Sequence, residues 1–514
     1  MKNLLIGRSN ECNIVINDQY VSRKHCHLKI YDNGKCSIAD LGSKTGTFVN
    51  GRKIAGEYFL NDHDQVKIGV TVLPWRQYVN DATISRRGDE NMDKSQQVKF
   101  KTKGFNSKNL KWIIGSLATL LILGLVAYFM FLYHPLTMFD KSYAIGDYTE
   151  ATAIAQTTDD GYIFGGDAKD IINASSYEYD YYSYISKIDK EGKKLWTKKL
   201  YKSEDSGDIL HLVAIKKIDN GGYIVLGTKI DVDDGDKEYN GKIIKIDENG
   251  EIIWEKTFGS GDRAVWMWDI IQTKDGGFLT SGIKVVDHDV KLWLYKVDAD
   301  GNKEKEKTFG SEVEDDYPGR IKQTSDEGYI LVATTSSKGK GSNDIWLVRL
   351  DNELDKIWNT TYGGRNNDYG TDVLEVDGGF VVVGTTSSRA KGYQDVWVLK
   401  TDSDGKKEWA KKLGGKHRDS AVGILHDGDG YIIGANTNSE GEGETDGWVI
   451  KIDSEGNNTL WDRTYGGEQD DRFTNMIRTS DGGMAFIGVT KSKNEGEQEA
   501  WVLKLDDKGK FRKK

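Results

Sequence analysis

Cysteine is almost missing from this chain. Its 514 residues hold three, Cys12, Cys26 and Cys36, so everything beyond Cys36 must hold together without disulfides, and their spacing is not that of a metal site. They read as reduced core or surface thiols. An excess of positive charge is missing too. The 71 Lys and Arg stand against 81 Asp and Glu, a net of -10, which argues against a nucleic-acid-binding role. Met1 to Ser9 lack the apolar run of a cleavable signal peptide.

Long apolar runs are absent with one exception. Trp112 to Tyr133, WIIGSLATLLILGLVAYFMFLY, is uncharged and matches the ~20 apolar residues with which a helix crosses a bilayer. Lys99, Lys101, Lys103, Lys108 and Lys111 precede it, and only Lys141 follows at a comparable distance. Basic flanks stay inside, so the expected placement is a single-pass cell-membrane protein, its N-terminus cytoplasmic and its larger C-terminal part extracytoplasmic, with the helix as an uncleaved signal anchor. Anionic headgroups account for the Lys-rich stretch. Four segments are expected: a β-sandwich over 1–76, a flexible basic linker over 77–111, a transmembrane helix over 112–133 and a repeat domain over 139–514.

Within the first segment, NIVIN, HCHLKIY and CSIAD alternate in hydropathy between Asn, Gly and Asp turns, the pattern of a small β-sandwich. Gly7-Arg8-Ser9, then VSRKHC with Ser22, Arg23 and His25, then DLGSKTGTFVNG from Asp40 to Gly51 follow in order. Together they resemble a forkhead-associated (FHA) domain over most of Leu5 to Leu73. The resemblance implies phosphothreonine-peptide binding by loops at one end of the sandwich. Arg8 would present a guanidinium fork to the phosphate, Ser22 its hydroxyl and Arg23 a second charge, with Lys44 and Thr45 near the peptide. Thr45 stands where the family usually has an Asn that bonds the ligand's main chain, so selectivity is expected to differ. Gly7, His25, Gly46, Asn50 and Gly51 match positions that hold the loops in shape; Gly46 suits a turn that leaves no room for a Cβ.

Beyond the apolar run the chain repeats. A D-G-G-[FY]-like hairpin signal recurs near Gly161, Gly222, Gly277, Gly328, Gly379, Gly430 and Gly483, and each of these seven copies reads as four short strands. Trp293, Trp346, Trp397, Trp448 and Trp501 recur on the third strand; Trp254, Trp358, Trp409 and Trp461 recur on the fourth. Aromatics at fixed places pack one unit on the next. The last copy stops after its third strand, and FDKSYAIG from Phe139 to Gly146 matches the missing fourth. The expected fold class is therefore all-β apart from one transmembrane helix: an FHA sandwich, the helix, and a seven-bladed β-propeller whose N-terminal strand closes the last blade. The repeats resemble bacterial propeller repeats distantly similar to quinoprotein blades.

No catalytic constellation stands out. The metal-coordinating carboxylates and stacking Trp of a quinoprotein dehydrogenase are not evident, sialidase-like Asp boxes are absent, and turns such as Asp298-Ala299-Asp300-Gly301 lack the full ligand set of a calcium loop. The expectation is no enzyme, no cofactor and no metal. Candidate ligand contacts are departures from the repeat: Trp266 and Trp268 in AVWMWDI, where a stacking platform for a glycan or peptide competes with plugging of the channel, and Tyr181 and Tyr182, with Tyr177 and Tyr179, in SSYEYDYYSY. Asp315, Asp368, Asp419 and Asp471 mark an acidic rim or blade-to-blade hydrogen bonds.

The resulting expectation is a membrane signalling adaptor. It would bind a phosphothreonine protein of a Ser/Thr kinase pathway inside and a peptide, glycan or protein outside. A phosphate-independent membrane scaffold and a membrane-tethered extracellular propeller enzyme are the competing readings. Phosphatase-resistant partner binding would mark the first, and turnover of a glycan or alcohol the second.

Overall fold

The computed structural model describes residues 2–75 and 137–511, except 10–11, 17–20, 32–34, 51, 55, 62–63, 69–70, 74, 174–177, 203–207, 234–235, 260–263, 287–288, 311–314 and 495. The chain divides into two compact units, Met1–Ala118 and Thr119–Lys514. All named elements are β-strands. The expected linker over 77–111 and transmembrane helix over 112–133 lie outside the described residues. Among the described residues, no helix is long and apolar enough to cross a membrane. The expected fold class and the expected single-pass membrane placement are corrected on this point: the described chain is all-β. An apolar run records hydrophobicity alone, whereas a spanning helix is a backbone conformation that composition does not carry.

In the smaller unit, β1 (Lys2–Gly7), β2 (Ile14–Val15), β3 (Cys26–Ile30), β4 (Cys36–Asp40) and β7 (Glu57–Leu60) form one sheet in the order β2-β1-β3-β4-β7. A second sheet orders β6 (Arg52–Lys53), β5 (Thr47–Val49), β8 (Val66–Ile68) and β9 (Thr71–Leu73). Alternation turns Cys26, Leu28 and Ile30 of β3 inward, where they pack with Ile6, Ile38, Val49 and Val66. All three cysteines are buried and outside any disulfide, and burial pushes the Cys26 thiol up to about 12, which keeps it a neutral packing group. On the outer side Glu57 accepts from Ser37, Lys29 and Tyr31 and is held at about 2.

The larger unit repeats one sheet. Seven sheets follow, six of four strands and one of five. Third strands such as Asp344–Leu350 are wholly buried, while fourth strands such as Thr459–Tyr465 are largely exposed. The hairpin Asp joins two motifs of the repeat. Asp326 accepts from Thr324 Oγ1 at 2.6 Å and pairs with Arg349 of the third strand at 2.5 Å. Asp481 does the same with Thr479 at 2.6 Å and Lys504 at 3.0 Å. Like pairs stand at Asp159–Lys187, Asp275–Lys296 and Asp429–Lys451, so the sequence period corresponds to an ion pair that recurs in most of the sheets.

Aromatics connect neighbouring blades. Trp254, Trp358 and Trp409 lie against Gly301, Gly405 and Gly456 of the next blade, where a Cβ would sit within 2.9 Å of the indole. Each of these glycines also has positive φ. The strand Phe139–Tyr143 pairs antiparallel with Glu499–Leu505, Phe139 opposite Lys504 and Tyr143 opposite Ala500. Phe139 then packs on Gly192 as the tryptophans pack on their glycines. Tyr143 Oη donates to Gly192 O at 2.7 Å. The repeated sheets are consistent with a propeller, and the strand expected to complete the last blade is in place; the expected closed seven-bladed ring is corrected to this coarser description. A sequence period specifies the repeating unit and leaves open how the units join.

Candidate functional site

At one end of the sandwich, three loops converge through backbone pairing. Arg8 N donates to Ser22 O and Ser9 N to Arg23 O, each at 3.0 Å. At Gly7 a side chain would overlap the Arg23 carbonyl, so glycine permits this approach. Arg8 and Arg23 are brought together and left exposed.

His25 joins the second loop to the third. Ser22 N donates to its Nδ1 at 3.1 Å, which leaves Nε2 to carry the proton and donate to Gly46 O at 3.0 Å. The ring is fully buried. Ser22 Oγ accepts from Lys44 N at 3.0 Å, so its hydroxyl hydrogen is directed to another acceptor. The exposed Lys44 and half-buried Thr45 follow. A phosphate here would meet the Arg8 fork, the Ser22 hydroxyl and the charges of Arg23 and Lys44. That donor set suits a dianion with three acceptor oxygens.

Sequence reasoning missed the bracket beneath. Asp40 accepts from Ser43 N at 2.8 Å, Ser43 Oγ at 2.7 Å and Thr47 Oγ1 at 2.6 Å. Ser43 Oγ in turn accepts from Gly46 N at 2.8 Å. Burial pushes the Asp40 carboxyl up, but hydrogen bonds from Thr47 and Ser43 and the neighbouring His25 bring it below its ordinary value. The spacing Asp40-x-x-Ser43 is an Asx-turn signal that could have revealed it. Asn50, at φ 51°, donates to Asp64 Oδ1 at 2.7 Å and accepts from Gln65 N at 2.9 Å, tying a loop farther along the sheet. Gly46 has φ 89°, and Gly51 lies outside the described residues.

The propeller-like candidates separate. Tyr182 is buried and donates to Ile145 O and Asp170 Oδ1, each at 3.0 Å, which makes it a structural group. Tyr181 is exposed on the same strand, and Tyr177 lies outside the described residues. Neither Tyr181 nor Tyr182 joins Trp266 and Trp268, which line a different cavity of about 560 Å³. Asp368 and Asp419 accept from Ser388 and Ser439 of their own sheets at 2.7 and 2.8 Å, and Asp471 accepts from Ser492 at 2.5 Å. Asp298 accepts from Asp300 N and Asn302 N at 2.9 and 2.8 Å, the bonds of a hairpin turn.

Residues 4–69 match the FHA domain model. None of the curated proteins matches the chain. Among solved structures, the FHA domain of the CT664 protein from Chlamydia trachomatis is 35% identical, covering 14% of this chain and 72% of that one, at a TM-score of 0.14. The FHA-2 domain of a Mycobacterium tuberculosis ABC transporter is 39% identical, over 14% and 64%, at 0.13. The larger unit aligns with a quinohemoprotein alcohol dehydrogenase from Pseudomonas putida HK5 at 10% identity over 65% and 66%, at 0.38.

Proposed function

With an FHA domain over residues 4–69 as the premise, we propose that this chain is a phosphothreonine-dependent adaptor. The FHA loops capture a phosphorylated protein of a Ser/Thr kinase pathway, and the propeller-like unit supplies a second binding surface. It works by binding and carries out no reaction. The observation that supports this best is the Ser22 hydroxyl, fixed by Lys44 N at 3.0 Å beside the exposed Arg8. A neutral side chain would gain little from such a cluster, while a phosphate gains several charge-assisted hydrogen bonds.

Specificity for threonine over serine falls to the surface around Thr45, because the phosphate contacts are the same for both. Titration of the full chain with phosphothreonine, phosphoserine and unmodified forms of one peptide library tests the reading. Phosphothreonine peptides should bind, and Arg8→Ala should weaken them about 10- to 100-fold, the range for a hydrogen-bonded charge. Ser22→Ala should cost about tenfold. Equal binding of phosphorylated and unmodified peptides would favour a phosphate-independent scaffold instead.

A further inference from the structure

The cavity of about 560 Å³ in the propeller-like unit is of small-molecule size and is lined by the aromatics that depart from the repeat. It lies on the innermost strands, six of which carry a bulge at the equivalent place, among them Met267/Asp269 in the third blade and Phe473/Asn475 in the seventh. A bulge re-aims the extra side chain. In the third blade that side chain is Trp268; its counterparts are Thr371, Val422 and Thr474 in later blades.

The aromatic wall is preformed. Trp266 is held by Tyr239 at 5.1 Å between ring centroids and by the edge of His211 at 6.2 Å. Trp268 and Tyr317 remain 52% and 40% exposed while lining the same concavity. Large aromatic faces left open inside a cavity have not been used for packing.

The floor is polar and carries charges of both signs. Arg320 reaches from the fourth blade to the seventh, donating to Asn475 Oδ1 at 2.7 Å. Lys216 pairs with buried Asp269 at 3.2 Å, and Lys322 with buried Asp372 at 3.6 Å. Of these charged groups Arg320 and Asp269 line the cavity; burial pushes the Asp269 carboxyl up, but the charges of Lys216, Arg320 and Lys322 together hold it below its ordinary value. Asn475 takes one of the five N–H donors of Arg320. At the side, His211 pairs with Asp167; that hydrogen bond and the charges of Asp167 and Glu150 outweigh burial and raise its pKa. Thr152 and Thr474 complete the opposite wall.

We propose that this cavity binds a saccharide carrying a carboxylate. Sugar rings combine a face of C–H groups, which stacks on an electron-rich aromatic face, with hydroxyls that both donate and accept. Trp268 and Tyr317 supply the first contact; Thr152, Asn475 and Asp269 supply the second; Arg320 meets the carboxylate as a charged fork. The Arg320 guanidinium in the lining is what selects an acidic sugar over a neutral one.

Trigalacturonate, neutral cellotriose and triglutamate, titrated into the full chain by tryptophan fluorescence and calorimetry, test this assignment. Trigalacturonate should bind and perturb the fluorescence, with cellotriose about tenfold weaker. Trp268→Ala should weaken both sugars about tenfold, and Trp268→Phe should restore most of the loss. Arg320→Gln should erase the preference for the acidic sugar and spare cellotriose. Should that variant not fold, added salt provides the same discrimination, because it should weaken trigalacturonate alone. No saccharide binding, sugar binding indifferent to Trp268→Ala, or triglutamate binding as tightly as trigalacturonate would overturn the proposal, the last outcome in favour of a peptide site.

Discussion

At the residue scale, the phosphate loops depend on groups that do not face the phosphate. His25 bonds Ser22 N and Gly46 O from a fully buried position, and Asp40 gathers Ser43 and Thr47. Asp40 also makes the site sensitive to acid. Its folded pKa lies below the ordinary value, so its stabilising contribution is fully present above the unfolded value near about 4 and is lost as pH falls through the folded value. Urea melts across acidic pH should show Asp40→Asn less stable than the parent at neutral pH, with the difference shrinking as pH falls. A difference independent of pH would remove Asp40 from this role. Arg8, Ser22 and Lys44 were nameable from motif spacing because each sits in a short run of the FHA pattern. Asp40 was legible only as the start of such a run, since the value of a carboxylate lies in what donates to it.

At the element scale, one short strand completes a sheet from the other end of the unit. Phe139–Tyr143 shares no sequence neighbourhood with Glu499–Leu505, yet the two pair over five positions, and Phe139 fills the space above Gly192. Removing that ring leaves a cavity and unpins the strand. Phe139→Ala should cost about 3–5 kcal/mol, the range for a buried Phe, measurable by urea denaturation of the full chain, whereas Lys141→Ala on the same strand, which loses an exposed hydrogen bond to Glu191 O, should cost about 1 kcal/mol. The similarity of FDKSYAIG to WDRTYGG at Trp461 to Gly467 made the pairing legible, because both segments satisfy the same edge. The bulges of the inner strands were not legible: an extra residue leaves no mark on alternation until the partner strand is known.

At the scale of the whole molecule, two compact units, Met1–Ala118 and Thr119–Lys514, carry two different kinds of surface. One presents loop cations at the end of a sandwich, and the other presents an aromatic cavity among repeated sheets. A ligand of one unit stabilises the state it binds. Calorimetry of the full chain with a phosphothreonine peptide at a hundredfold excess over its Kd should therefore raise one transition by about 2.7 kcal/mol and leave the transition of the larger unit in place. A single transition shifting as one would show the units to be thermodynamically joined.

By itself the sequence determined the identity of the repeating units. Hydropathy alternation, Asp-Gly turns and fixed aromatics are local, and in the larger unit most strands pair with a neighbour in sequence. The FHA motifs were legible for the same reason. Tertiary structure decided the rest. It separated Tyr182, a buried donor, from Trp266 and Trp268, which line a cavity. It also brought Arg320 to Asn475 across 155 positions of chain. A side chain's partners depend on which strands face each other, and that geometry is a property of the packed sheets that no local pattern records.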